Sequence, residues 1–192
     1  MPVFYWRHGH DEYTAPTYAH DNRLTSTGFK KAMAFARKAI EKYGPPDIIY
    51  YSPLQRAYAT VKGMARQIST PLEIKPRNDL SRYFCRREKE NPDIAPRTYK
   101  HDIPITESWS EFRKRCRNFF REMEVYYTAS TNVWVITHAL VIKEVARYHH
   151  RKLPEHIPFL YLMKIDRARR RRRRKQKRRC TCRACRRQAR HH

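Results

Sequence analysis

No stretch of this chain approaches the roughly 20 consecutive apolar residues a membrane helix needs, so a helical span is not expected. The apolar string Met1-Pro2-Val3-Phe4-Tyr5-Trp6 is stopped at once by Arg7 and His8, and reads as a strand rather than a signal peptide. No internal repeat is present. Cysteines are few and lack a framework: Cys85 and Cys116 stand alone, and Cys180, Cys182 and Cys185 crowd the C-terminal end. An odd count without paired spacing argues for a reducing compartment, and hence an intracellular location, cytoplasmic or nuclear. Acid is missing altogether from residues 167–192, which hold 15 of the 43 Lys and Arg. That leaves 28 basic and 18 acidic residues in 1–166, so the body is moderately basic and the end strongly so.

Arg169 to Lys175 are seven consecutive cations. Self-repulsion and the want of apolar surface predict a disordered tail over 166–192, attached to one domain over 1–165. A basic tail on a basic body suits a polyanionic partner, nucleic acid being the simplest, or a nuclear-import signal. Cys180-x-Cys182-x-x-Cys185, with His191 and His192 following, fits no zinc module spacing and reads as free thiols, with a zinc site the lesser alternative.

Within the body the patterning alternates. Residues 2–7 read as a buried strand and 10–24 as a polar loop. Phe29, Ala32, Met33, Ala36 and Ile40 recur at helical spacing, predicting a helix over 25–43 that Gly44-Pro45-Pro46 ends. Residues 47–51 are strand-like. Ser52, Pro53 and Gln55 spell a capping box that opens a helix to about Ser69. A short strand over 72–75 leads to Pro76. Residues 77–107, with Pro92, Pro96 and Pro104, read as an irregular exposed excursion. A second capping box, Ser108-x-x-Glu111, opens an amphipathic helix through Phe112, Cys116, Phe119, Phe120 and Met123. Residues 132–137 are strand-like, 139–149 helical, and 159–165 a last strand. The alternation predicts an α/β three-layer sandwich with a mostly parallel central sheet flanked by helices. In that architecture ligands sit beyond the C-terminal ends of the strands.

Arg7-His8, Arg56 and His138 all fall at or just past such ends. Planar guanidinium forks match the oxygens of a phosphoryl dianion, and a helix start adds backbone N–H groups. Gly9 lets the backbone bend closely round a ligand. A histidine near neutral pH keeps a nucleophilic nitrogen, and attack through it would split phosphoryl transfer into two easier steps. Arg7, Gly9 and Arg56 are accordingly the expected substrate-binding residues. His10 and His20 read as loop residues.

Five blocks carry a resemblance: Tyr5-Trp6-Arg7-His8-Gly9-His10, Leu24-Thr25-Ser26-Thr27-Gly28 with Ala32, Ser52-Pro53-Leu54-Gln55-Arg56-Ala57 with Thr60, Glu107-Ser108-Trp109 with Phe112, and Val135-Ile136-Thr137-His138-Ala139 with Ile142. In order and spacing they resemble the RHG-motif histidine phosphatase superfamily (phosphoglycerate mutase-like). The resemblance implies His8 as nucleophile, Arg7, Arg56 and His138 as the phosphate clamp, and no metal or organic cofactor. Ala139 stands where the family usually has glycine. Arg82, in Leu80-Ser81-Arg82, stands where the family often has a general-acid glutamate. Asp79, Glu88 and Glu90 are the nearby carboxylates able to replace it.

Two functions follow as expectations. One is a phosphatase acting on phosphomonoesters or phosphoprotein groups through phospho-His8. A mutase is disfavoured by the short chain and open excursion. The other is a catalytically weak phosphate-binding scaffold whose basic tail binds nucleic acid.

Overall fold

A computed structural model describes residues 2–12, 22–83, 107–127 and 130–166. Its five strands are β1 (Val3–Arg7), β2 (Ile48–Tyr51), β3 (Glu73–Pro76), β4 (Val133–Thr137) and β5 (Leu162–Ile165). Its helices are α1 (Ser26–Tyr43), α2 (Gln55–Ala65), α3 (Trp109–Tyr126) and α4 (Ala139–Tyr148), with a 3₁₀ turn at Asn78–Leu80. The strands form one sheet in the order β3-β2-β4-β1-β5, parallel throughout except for β5. This is the α/β sandwich that the alternating pattern predicts.

Strand alternation sorts the core into two layers. Val3, Tyr5, Ile48, Tyr50, Val133 and Val135 face α3 and α4, beside Phe112, Phe119 and Phe120. Phe4, Trp6, Ile49, Trp134 and Ile136 face α1 and α2, beside Ala32, Ala36 and Val61. Both faces being covered, β1 and β4 are buried along nearly their whole length, which is why they read as unbroken apolar runs. The edge strand β3 is exposed at all four positions. Glu73 donates its N–H to the Asp47 carbonyl just before β2 and Arg77 to the Tyr51 carbonyl, so Pro76, one residue out of that phase, has its missing donor on the open side.

Three central strands, β2, β4 and β1, lie side by side and end together. Arg7 is level with Thr137, and Tyr51 with Ile136. One residue further, His8 donates to the Thr137 carbonyl (2.9 Å) and Ser52 to the Ile136 carbonyl (3.0 Å). Segments distant in sequence are thereby delivered to one rim of the sheet.

Several local expectations are corrected. Ser52 does not cap α2; the helix starts at Gln55 after Leu54, with no side-chain cap, because the Ser52 hydroxyl is engaged by a histidine. The helix ends at Ala65, not Ser69. The last strand starts at Leu162 rather than Phe159. Leu160 takes a left-handed backbone (φ 58°), and the preceding residues fold over the end of β1. The 77–107 excursion is not exposed at its ends, since Leu80, Ser81 and Glu107 are buried. By contrast, the Ser108–Glu111 capping box forms as predicted, and Thr25 caps α1 by accepting from Gly28 N–H (2.9 Å).

Candidate active site

His8 follows β1, His138 follows β4, and Arg56 is the second residue of α2, which follows β2. All three side chains are almost fully buried. The two imidazole rings face each other with centroids 5.1 Å apart, and Phe159 packs against His8 at 5.7 Å. Arg7 stacks its guanidinium on Phe159 (4.0 Å) and donates to the Ile157 carbonyl. The structure thus brings His8, Arg7, Arg56 and His138 together at the sheet's C-terminal rim.

The His8 tautomer follows from its partner. His8 Nδ1 lies 2.8 Å from the Gly9 carbonyl, which can only accept, so Nδ1 carries the proton. In the neutral ring the lone pair is then on Nε2. His138 Nε2 lies 2.8 Å from Ser52 Oγ, and that oxygen already takes the Leu54 N–H at 3.4 Å. The Ser52 hydroxyl is able to donate to His138 Nε2 or to accept from it; where it donates, the His138 proton sits on Nδ1. That atom is buried and has no hydrogen-bond partner among the described residues. With the proton there, it is a donor beside the Arg56 charge with no partner among the described residues.

Electrostatics keep both rings neutral. Burial, then the Arg56 charge, pull His8 well below its ordinary range; the bond to Gly9 works against this, and Arg7 adds to it. His138 is likewise depressed, by burial, Arg56, His8, Arg82 and Arg115. A neutral imidazole with its Nε2 lone pair available beside two guanidiniums is an arrangement that can attack an electron-poor centre carrying negative charge.

Gly9 contributes differently from a ligand cradle. Its N–H donates to Thr60 Oγ1 (2.9 Å), and Thr60 in turn donates to the Arg56 carbonyl (2.7 Å), tying the histidine turn to α2. A side chain at residue 9 would meet the Gly28 carbonyl at 3.1 Å and Leu24 at 3.0 Å, so the glycine is needed for close approach to the start of α1.

The carboxylates fall out unevenly. Asp79 is bound by Arg77 (2.7 Å), which Glu122 also grips at 2.6 Å through both its oxygens. Glu88 and Glu90 lie outside the described residues, as do His20, Cys85, the basic run 167–192 and the cysteines and histidines within it. Sequence reasoning missed two groups. Asp11 is nearly buried and sits 3.6 Å from Arg56 Nε. Its backbone is anchored too, bridged to Leu24. Arg115 is fully occupied: it pairs with Glu107 through Nε (2.7 Å) and Nη2 (2.5 Å) and donates to the carbonyls of Asp79, Ser81 and Arg82 at 2.7–2.9 Å. It pins the turn that carries Arg82, and Thr137 Oγ1 pins the same turn through the Leu80 carbonyl (2.7 Å). The only signals of these roles in the sequence are an acid three residues after His8 and the i, i+8 spacing of Glu107 and Arg115, and neither is distinctive.

A family model described as the histidine phosphatase superfamily (branch 1) matches residues 3–179. A curated protein of Hydrogenobacter thermophilus bearing the provisional name phosphoserine phosphatase 2 is 30% identical over 132 residues, 62% of this chain and 64% of its own length. The match thus spans somewhat under two thirds of that relative. Among solved structures, the protein histidine phosphatase SixA complexed with tungstate superposes with a TM-score of 0.61 at 17% identity, covering 86% of this chain and 88% of that one. The ecdysone phosphate phosphatase of Bombix mori, also with tungstate, gives 0.61 at 18% identity, covering 85% and 88%. At such identities these structures speak for the fold alone. No helix among the described residues is long and apolar enough to cross a membrane.

Proposed function

This chain belongs to the histidine phosphatase superfamily, and from that premise we propose that it hydrolyses phosphomonoesters or phosphorylated protein groups through a phosphohistidine on His8. The observation that carries the reading is the pair of buried imidazoles with centroids 5.1 Å apart beside the Arg56 charge: the Gly9 carbonyl holds the His8 proton on Nδ1 and so leaves the lone pair on Nε2, and His138 Nδ1 has no hydrogen-bond partner among the described residues.

The steps follow from that geometry. Arg7 and Arg56 bind the phosphoryl oxygens, and His138 Nδ1–H donates to one of them. His8 Nε2 attacks phosphorus; an N–P bond forms as the P–O or P–N bond to the leaving group breaks, and the leaving atom takes the electron pair. Water then attacks phosphorus from the opposite side. The N–P bond breaks, its electrons return to Nε2, and the water proton passes to solvent. No metal or organic cofactor enters the scheme.

With Arg82 at the position of the family's acid and Asp79 held by Arg77, proton donation to the leaving group is weak among the described residues. Substrates whose leaving group departs without a strong acid, such as aryl phosphates and phosphohistidine, should therefore outpace alkyl esters such as phosphoserine. His8→Ala should cut turnover of an aryl phosphate by about 10⁴-fold or more and abolish trapping of an acid-labile phosphoenzyme. Unchanged turnover would refute the assignment.

Arg82 also motivates a second reading, a phosphate-binding scaffold with little turnover whose basic tail holds nucleic acid. Persistent inactivity across a phosphoester panel, together with tight salt-sensitive DNA or RNA binding, would favour it.

A further inference from the structure

Asp11 poses a physical problem. A carboxylate close to a site for a phosphoryl dianion repels the ligand, and the family resemblance assigns it no part. Yet it is built into the fold. The Asp11 side chain is 12% exposed and its partner Arg56 8%. Asp11 is bridged to Leu24, Glu12 N–H donates to the Arg23 carbonyl (2.8 Å), and Thr25 N–H binds the His10 carbonyl (3.0 Å). The segment therefore lies clamped along the entry to α1, which fixes the Asp11 backbone beside Arg56.

The contact is made at Arg56 Nε, the rear edge of the guanidinium, at 3.6 Å. The contact is an ion pair longer than a hydrogen bond, so the carboxylate biases the guanidinium by charge, on its Nε side, rather than by a shared proton. Its charge also acts favourably on Arg7, where it opposes the loss of basicity that burial causes. The like charges of Arg7 and Arg56 repel, and the Asp11 charge, which acts on both, offsets that repulsion before substrate arrives.

Resting on the reading of this rim as a phosphoryl site, we propose that Asp11 is a positioning residue that aims the Arg56 fork at the phosphoryl oxygens. Its benefit to anion binding through preorganisation exceeds its cost through repulsion. Site geometry this close is worth large factors, because a displacement of about 1 Å can cost on the order of 100-fold.

The two effects have opposite signs, which makes the test decisive. Inorganic phosphate is titrated calorimetrically into wild type, Asp11→Ala and Asp11→Asn at fixed ionic strength, with thermal unfolding and circular dichroism run in parallel. Plain electrostatics predicts tighter phosphate binding once the negative charge is gone. Positioning predicts weaker binding: about tenfold for Asp11→Ala, and two- to fourfold for Asp11→Asn, whose amide oxygen keeps part of the attraction to the guanidinium. The KM for an aryl phosphate should rise in the same order. Equal or tighter phosphate binding in a folded Asp11→Ala overturns the proposal while leaving the phosphatase reading intact. If Asp11→Ala does not fold, Asp11→Asn decides by the same sign. Absence of both phosphate binding and phosphoenzyme in wild type overturns the reading of the site and this proposal with it.

Discussion

At the scale of single residues, the site depends on protons being held where burial and neighbouring charge require. His8 and His138 have pKa values depressed below 6.5, so the neutral, nucleophilic form of His8 persists into mildly acidic solution. The acidic limb of kcat/KM against pH should therefore fall below 6.5, and a limb at or above that value would show His8 to be solvated. Stability moves with the same groups. Between the depressed folded pKa and the unfolded value near 6.5 the unfolded chain binds more protons, so stability is full above about 6.5 and declines as pH drops through that window. Thermal unfolding followed from pH 7.5 to 5 should show the decline, and His138→Gln should flatten it. With Ser52 donating, Ser52→Ala removes the proton that selects the His138 tautomer. It should lower kcat/KM by about 10- to 100-fold, less than outright loss of an anion-stabilising donor can cost, and nitrogen NMR should find His138 no longer protonated on Nδ1 alone.

Secondary elements place these residues through small, specific contacts. The start of α1 touches the histidine turn so closely that a side chain at Gly28 would stand 2.3 Å from the His10 carbonyl. Gly28→Ala should destabilise the fold by about 1–3 kcal/mol and weaken phosphate binding together, because the His10–Asp11 segment must move. The start of α3 is locked to the turn at 79–82 by Arg115. Removing that guanidinium strands the buried Glu107 carboxylate and three carbonyls. Arg115→Met should cost about 3–5 kcal/mol in urea denaturation, as for a broken buried ion pair. Arg115→Lys, which cannot make the forked bond, should recover only part of it.

For the whole molecule, the cations divide between 28 in residues 1–166 and 15 in residues 167–192. The sheet and its rim lie within the described residues, whereas 15 of the 43 Lys and Arg lie in 167–192. On the reading in which 167–192 hold nucleic acid, deleting them should abolish salt-sensitive binding to DNA or RNA in a filter or mobility assay and leave aryl phosphate turnover unchanged. Turnover lost along with the tail would mean that this segment completes the site; nucleic-acid binding retained without it would place that affinity in the body.

Much of the architecture was legible beforehand because period and punctuation are local properties. Alanines and Phe29 at helical spacing, Gly44-Pro45-Pro46 as a stop, and Ser108–Glu111 as a start need no distant partner to act. The four principal side chains were legible for a related reason: each follows an apolar strand, and a parallel sheet sends all its strand ends to one side. Where local reading failed, a distant residue had taken over the group in question. Ser52 has the chemistry of an N-cap, but His138, 86 positions away, engages its hydroxyl. Asp11 reads as a loop acid until α2 sets Arg56 against it, and Arg115 as a surface cation until the 79–82 turn folds beneath it. Sequence by itself determined which elements form and which residues stand at their ends. Only the tertiary structure decided which polar groups share the buried rim, because a hydrogen bond or charge pair out of water is set by distance in space and by exclusion of solvent, and neither is written in any local stretch of chain.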